Sequence, residues 1–294
     1  MTDKRKEFGK KLIEIREIKG LRQSDVAEIA NLSQRSIGRL ERGEIESASV
    51  DSLIELSKAY GIDVLSLYKK YIYGNLCILE DIKKSLDINA VFLSKETRTN
   101  LLDKINSIKD SRDLQAKRYE IDLLELFIRY LNAEVSDEYL KNHFEDLSSS
   151  KIKRGNFSTV DLYPIELRIL LNIATSSKSF KNIDSLEILE KCKNQNKDSM
   201  IKIASCNNLA NFYKHYGNFN KTIETINEGL ILSSELSSID GLIYLNFVKF
   251  ITLYRANENY EKSLHSTIIL SKYSKNLKLS MAINEKINKI IYKP

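Results

Sequence analysis

The sequence predicts an all-α protein, a short N-terminal helical domain followed by a longer array of helix pairs, and three observations predict it. Only two prolines and ten glycines punctuate 294 residues, and alternating strand-like runs flanked by turn pairs are absent, so the chain should be helical. Residues 8–62 carry five short helical patterns, the middle two joined by the tight turn Ala30-Asn31-Leu32. From residue 165 onward a helix-pair unit recurs, and repeats of that kind decide architecture.

The middle pair reads Gln23-Ser-Asp-Val-Ala and Ser33-Gln-Arg-Ser-Ile-Gly-Arg-Leu-Glu-Arg-Gly43. In the second helix Ser33 is a good N-cap, Ile37 and Leu40 form an apolar stripe, and Gly43 stands where a left-handed C-cap belongs. Asn31 occupies the turn position where glycine is usual and is one of the few residue types that tolerate positive φ there. The other face offers Gln34, Arg35, Ser36 and Arg39. Gln and Arg pair bidentately with adenine and guanine edges in the major groove, and here they lie at the helix end that enters the groove first. Arg39 follows Arg35 by one turn and keeps to the same face. The pattern is a helix-turn-helix, and its chemistry is that of reading double-stranded DNA.

This stretch resembles the lambda-repressor-like helix-turn-helix domains, the Xre and Cro family, over nearly all of Phe8 to Tyr68. Leu12-Ile-Glu-Ile-Arg16, Gly20-Leu-Arg-Gln23, Val26-Ala27 and Leu40-Glu-Arg-Gly43 stand in register with the family pattern. The resemblance implies that Gln23 holds a phosphate from the start of the second helix, that Gln34, Arg35 and Arg39 read or brace bases, and that Arg16 and Glu41 form an internal ion pair. The segment Glu44-Ile-Glu-Ser-Ala-Ser-Val50 departs from the family, which commonly has a proline before the fourth helix.

A domain of that size leaves about 225 of the residues for something else, so a second domain is required. Leu65, Tyr68, Tyr71, Ile72 and Leu76 keep helical spacing without a proline break, which extends the last helix of the head into a linker with Gly74-Asn75 as its hinge. The expected division is a head at 1–68, a linker helix at 69–86 and a repeat domain at 87–294. The breaker-rich run Ser148 to Asn156 is expected to join two helical hairpins inside one array, with Lys151, Lys153 and Arg154 in a solvated loop.

In the repeat, Asn207-Asn-Leu-Ala-Asn-Phe-Tyr213 followed by Gly217-Asn-Phe-Asn-Lys-Thr-Ile223 aligns with Phe247 to Tyr254 followed by Glu258 to Leu264. Tyr213 matches Tyr254, Phe219 matches Tyr260, Lys221 matches Lys262 and Ile223 matches Leu264. An earlier copy shows as Leu170-Leu-Asn172 with Ser179-Phe180, and Ile121 to Leu131 with Asp137 to Leu147 is a further candidate. The unit resembles the tetratricopeptide repeat with a period near 40 residues instead of the standard 34. The match is degenerate: Tyr213 and the Gly217-Asn-Phe219 turn agree with the pattern, whereas the small residues expected in the second helix are replaced by Thr222 and Gly229. Stacked pairs of this kind form an α-solenoid whose concave face comes mainly from the first helix of each pair.

Composition sets the outer limits. The net charge is +6, but the first seventy residues are nearly balanced, so affinity for DNA is expected to need a homodimer on an operator with two half-sites. Cys77, Cys192 and Cys206 form neither a CxxC pair nor an even disulfide set, which fits a reducing cytoplasm. No apolar stretch approaches the roughly 20 residues of a membrane span, and Met1-Thr-Asp-Lys-Arg-Lys6 leads into polar helix rather than a signal sequence. His143, His215 and His265 lie on separate segments, and no HExxH, GxGxxG, P-loop or GxSxG occurs, so neither catalysis, a metal nor a cofactor is expected.

A helix-turn-helix of this family, a linker helix and degenerate tetratricopeptide-like repeats in one chain of this length resemble the peptide-pheromone-responsive regulators, the Rgg, PlcR and PrgX group of Gram-positive bacteria. The resemblance implies a transcriptional regulator in quorum sensing, whose repeat domain dimerises and holds a short signalling peptide on its concave face. Helical phase nominates the residues: with Leu209, Ala210 and Tyr213 packing, Asn207, Asn208 and Asn211 face inward, and an Asn amide can satisfy a peptide N–H and C=O together. The corresponding positions are Val248, Lys249 and Thr252 with Arg255 one turn on, and Arg168, Ile169 and Asn172 in the preceding repeat. Lys249, Arg255 and Arg168 are suited to a carboxylate. Tyr213, Phe219, Tyr254 and Tyr260 are expected in packing. The alternative is a phage-type or stress repressor whose repeats only dimerise or dock another protein. A groove lined by Asn and basic residues favours the first reading, and an apolar or self-occluded inner face the second.

Overall fold

The structure is a computed structural model that describes residues 2–86, 93–176, 179–195 and 198–291. Its contacts divide the chain into two units, residues 1–81 with 111–114, and residues 82–110 with 115–294. The suggested start of the repeat domain at residue 87 opens the stretch 87–92, which lies outside the described residues, as does Met1.

The first unit contains α1 (Thr2–Ile18), α2 (Gln23–Ile29), α3 (Gln34–Glu41), α4 (Val50–Tyr60), α5 (Val64–Ile72) and the start of α6 (Gly74–Ser85). Each short helix is nucleated by its cap: Ser33, Ser49 and Asp63 accept the backbone N–H of Ser36, Ser52 and Ser66. Asn31 turns the chain between α2 and α3 at φ 49°. Gly43 ends α3 at φ 70°, and a Cβ there would lie 2.7 Å from the Lys6 backbone nitrogen, so both conformation and space require glycine. The helices close on Phe8, Leu12, Val26, Ile37, Leu53, Leu56 and Tyr68. Phe8 meets Tyr68 edge-on at 5.1 Å. The loop that lacks the family's proline is held instead by the Ala48 N–H, which donates to the Tyr68 hydroxyl at 3.3 Å. The periodicity of 65–76 does not run as one helix: α5 ends at Ile72, Tyr73 leaves helical geometry at φ −113° and ψ 27°, and α6 begins at Gly74.

The second unit holds α7 (Lys95–Ile108) and then helix pairs: α8 (Arg118–Leu131) with α9 (Asp137–Leu147), α10 (Pro164–Ser176) with α11 (Ser185–Asn194), α12 (Ser199–His215) with α13 (Phe219–Glu235), and α14 (Ile239–Arg255) with α15 (Glu261–Tyr273). Helix α16 (Leu277–Ile291) follows the last pair. A two-residue antiparallel ladder, Ser179–Phe180 with Ile183–Asp184, joins α10 to α11 through Lys181 and Asn182, both at positive φ. Leu209 and Ala210 are fully buried and Tyr213 nearly so, as the phase of α12 requires. Gly229 does the work of the expected small residue, since a Cβ there would lie 2.7 Å from Leu245 Cδ1 and 2.9 Å from Cys206 Cβ. Thr222, two turns earlier on α13, is also buried, with its hydroxyl returned to the Asn218 carbonyl.

Two expectations need correction. Lys151 is not in a solvated loop: its ammonium donates to the fully buried Glu166 and sits 4.1 Å from the Tyr163 ring centroid. Glu166 also accepts the Tyr119 hydroxyl at 2.6 Å and the Tyr163 N–H, so a buried carboxylate organises the loop that leads into α10. Of the four repeat aromatics, Tyr213 and Tyr260 pack, and Tyr254 meets Tyr260 edge-on at 5.2 Å while staying 39% exposed; Phe219, equally exposed, flanks a turn at the surface.

Candidate functional sites

In the first unit the buried side of α3 is taken by Ile37, Leu40 and Glu41, which leaves the other face to solvent. Gln34 and Arg35 are exposed and have no side-chain partner among the described residues. Ser36 is half-buried, its hydroxyl 2.8 Å from that of the cap Ser33. Arg39 is half-exposed and lies 4.0 Å from Glu44, whose closer partner is Arg42 at 2.7 Å. Gln34, Arg35, Ser36 and Arg39 therefore stand together at one helix surface, two of them wholly free.

Behind that surface a carboxylate fixes the geometry. Glu41 is buried and accepts Arg16 Nε at 2.6 Å and Arg16 Nη2 at 3.2 Å, the internal ion pair expected for Arg16 and Glu41. Gln23, the first residue of α2, donates its amide to the same carboxylate at 2.7 Å. One buried anion thus ties α1, α2 and α3 together and sets the direction of Gln23. Tyr60 lies in the same core, its hydroxyl pushed up to about 12 by burial first and by the Glu41 charge second.

In the second unit the nominated residues meet different surroundings. Asn207, Asn208 and Asn211 are half-buried on α12 between two cavities. A cavity of about 640 Å³ lies between α10, α11 and α12, with Asn208, Asn211, Phe212, His215 and Tyr216 among its walls. The second, about 500 Å³, lies between α12, α14 and α16, with Asn207, Asn211, Lys214, Tyr244, Ile251 and Lys286 among its walls. Asn211 borders both and is held in place by its own helix, donating to the Asn207 carbonyl at 2.9 Å and accepting from Lys214 at 2.7 Å. Asn208 has no side-chain partner among the described residues, and the buried Asn207 Oδ1 has none either.

The other nominated positions are placed differently, and of those on α14 Val248 alone lines the second cavity. Lys249 donates to Asn227 of α13 at 2.8 Å, away from the groove. Thr252 is buried, with its hydroxyl on the Val248 carbonyl. Arg168 is paired with Asp198 at 3.6 Å, and Asn172 returns its amide to the Arg168 carbonyl at 2.8 Å. Arg255 is exposed, one turn beyond the cavity-lining Ile251. Lys214 and Lys286 were absent from the sequence reading. Lys214 was within reach, since Asn207, Asn211 and Lys214 share a face at i, i+4 and i+7, but Lys286 sits on a helix that matches no repeat. Lys214 is held below the usual lysine value by burial first, then by the charges of Arg255 and Lys286.

Among the described residues no group of three His, Cys, Asp or Glu side chains is placed to hold a metal ion, and no helix is long and apolar enough to cross a membrane.

Residues 12–67 match the helix-turn-helix family model. No curated protein sequence matches the chain. Solved structures do match over nearly its whole length. PlcR of Bacillus thuringiensis in complex with the peptide PapR7 and DNA has a TM-score of 0.61 at 16% identity, covering 95% of this chain and 99% of that one. ComR of S. thermophilus in complex with DNA and its signalling peptide ComS has a TM-score of 0.52 at 15% identity, covering 95% and 98%. The PrgX/cCF10 complex has a TM-score of 0.52 at 16% identity, covering 96% and 99%. The chain shares their fold: a helix-turn-helix domain followed by helical repeats.

Proposed function

We propose that this chain is a sequence-specific DNA-binding transcriptional regulator whose helical repeats bind a short signalling peptide and pair with a second copy, acting in the cytoplasm in quorum sensing. The observation that carries the reading is α3, which presents Gln34 and Arg35, without partners among the described residues, at its N-terminal end with Ser36 and Arg39 beside them. Gln23, braced by Glu41, is the phosphate contact. The peptide reading is supported by the character of the inner face: Asn207, Asn208 and Asn211 border open cavities rather than a self-occluded surface, with lysines at one end. Structures of this fold hold both kinds of ligand, PlcR with PapR7 and DNA and ComR with DNA and ComS. The head at 1–68, the linker helix at 69–86 and the repeat domain at 87–294 are the working division. The chain is read as a regulator and not an enzyme.

Operator binding tests the reading. Gln34→Ala and Arg35→Ala should each weaken binding to the specific operator by about 1 to 3 kcal/mol with the fold intact, and footprinting should reveal two related half-sites. Wild-type operator affinity in both variants, or one half-site bound by a monomer, would sink it. The peptide arm is read by calorimetry: Asn208→Ala combined with Asn211→Ala should abolish the response to peptide while unliganded DNA binding stays nearly unchanged.

A further inference from the structure

The cavity between α12, α14 and α16 has an unusual balance of groups. Most of its wall is apolar, from Tyr244, Phe247, Ile251, Ile283 and Ile290, yet Lys214, Lys286 and Lys289 also face it. Lys289 is paired with Glu285 on its own helix. Lys214 and Lys286 have no carboxylate partner among the described residues, and Lys214 donates only to the neutral Asn211 amide at 2.7 Å. Arg255, one turn beyond Ile251 on α14, is likewise unpaired among the described residues. Cations gathered without a counter-anion repel one another, and the partly buried Lys214 is already depressed by burial and by both neighbours. The arrangement becomes favourable once an anion sits among them.

A second group says what kind of anion. Asn207 Oδ1 is buried and has no partner among the described residues, and its residue lines the same cavity. It can only accept, so it calls for a hydrogen-bond donor, which a peptide backbone N–H supplies. Asn207 and Lys214 lie two helical turns apart on α12, about 10 Å along its axis. An extended chain rises about 3.3 Å per residue, so a peptide with its carboxylate at Lys214 brings a backbone N–H from about three residues upstream to Asn207. A single inorganic anion held at Lys214 does not span that distance.

We propose that this cavity is the carboxylate end of the peptide groove: Lys214 and Lys286, with Arg255 at the rim, take a carboxylate of an otherwise apolar peptide that runs along α12 with a backbone N–H on Asn207. The inference rests on the peptide-binding reading above and adds to it the direction of the ligand and the chemistry of its end. Terminal and acidic side-chain carboxylates share this chemistry, and the probes separate them.

The test is affinity selection on the full chain, read by mass spectrometry, with three synthetic pools of apolar heptapeptides: free C-terminal acids, the same sequences as C-terminal amides, and amides with one internal Asp or Glu. The free-acid pool should be retained, and amidation should lower retention roughly tenfold or more, the value of a charge-assisted hydrogen bond in a partly buried site. Lys214→Met and Lys286→Met should erase the difference between acids and amides. Retention of the internally acidic amides to the same degree would keep the carboxylate receptor and assign it a side chain. Equal retention of acids and plain amides by wild type would overturn the receptor and leave peptide binding standing. Retention of none of the pools would overturn both.

Discussion

On α3, Gln34 and Arg35 are where helical phase puts them: exposed, unpartnered among the described residues and opposite the buried Ile37 and Leu40. On α12 and α14 the same rule nominated Asn207, Asn208 and Asn211 together with Val248, Lys249, Thr252 and Arg255, and whereas the whole α12 set borders open cavities, on α14 only Val248 does. The difference lies in how many neighbours each helix has. A surface helix has one buried side, so whatever is not core is free. A first helix inside a stack is flanked by the preceding pair, its own partner and the next pair, so a residue one register away is spent on a neighbour, as Lys249 is on Asn227 of α13. Equivalent positions in successive repeats are therefore not equivalent in exposure.

In each unit a buried carboxylate gathers several elements, Glu41 in the first and Glu166 in the second, and the largest expected effects come from unpairing them. Arg16→Met removes both guanidinium bonds from Glu41 and should cost about 3 to 5 kcal/mol in denaturant unfolding, because a buried charge loses its counter-ion. Lys151→Met should cost less, about 1 to 3 kcal/mol, since Glu166 keeps the Tyr119 hydroxyl and the Tyr163 N–H. A larger loss for Lys151→Met than for Arg16→Met would reverse this ranking.

Close approach sharpens the same contrast. At Gly9 a Cβ would stand 2.1 Å from the Glu41 carbonyl oxygen, a backbone wall that cannot yield, and Gly9→Ala should destabilise by about 3 kcal/mol or more. At Gly229 the nearest atom is the end of the Leu245 side chain, so Gly229→Ala should cost about 1 to 3 kcal/mol. Thermal unfolding of the two variants checks the order, and equal melting points would show that α13 is as rigidly walled as α1.

The smallest effects decide whether the groove is read correctly. For any peptide retained by the full chain, Asn208→Ala should lower affinity by about 1 kcal/mol, the net value of a neutral hydrogen bond. Lys249→Ala should change it by less than about 0.5 kcal/mol, as expected of a side chain that points away from the ligand. Calorimetry in which Lys249→Ala had the larger effect would move the peptide to the α13 side of α14.

Local chemistry alone determined much of this protein. The caps at Ser33 and the glycine at Gly43, the positive φ of Asn31, the Asp137–Leu147 helix and the inward turn of Asn207, Asn208 and Asn211 all follow from interactions that close within a few residues, and these the chain spells out in order. The Arg16–Glu41 pair spans a longer interval and was legible only through resemblance to a known domain. Tertiary structure decided the rest. It drew Lys151 onto Glu166, paired Lys249 with Asn227, buried Thr252, and brought Lys286 of α16 to the cavity that Lys214 faces. Those outcomes depend on which helices stack beside which, and a burial that is shared among three neighbouring helices leaves no periodic trace in any one of them.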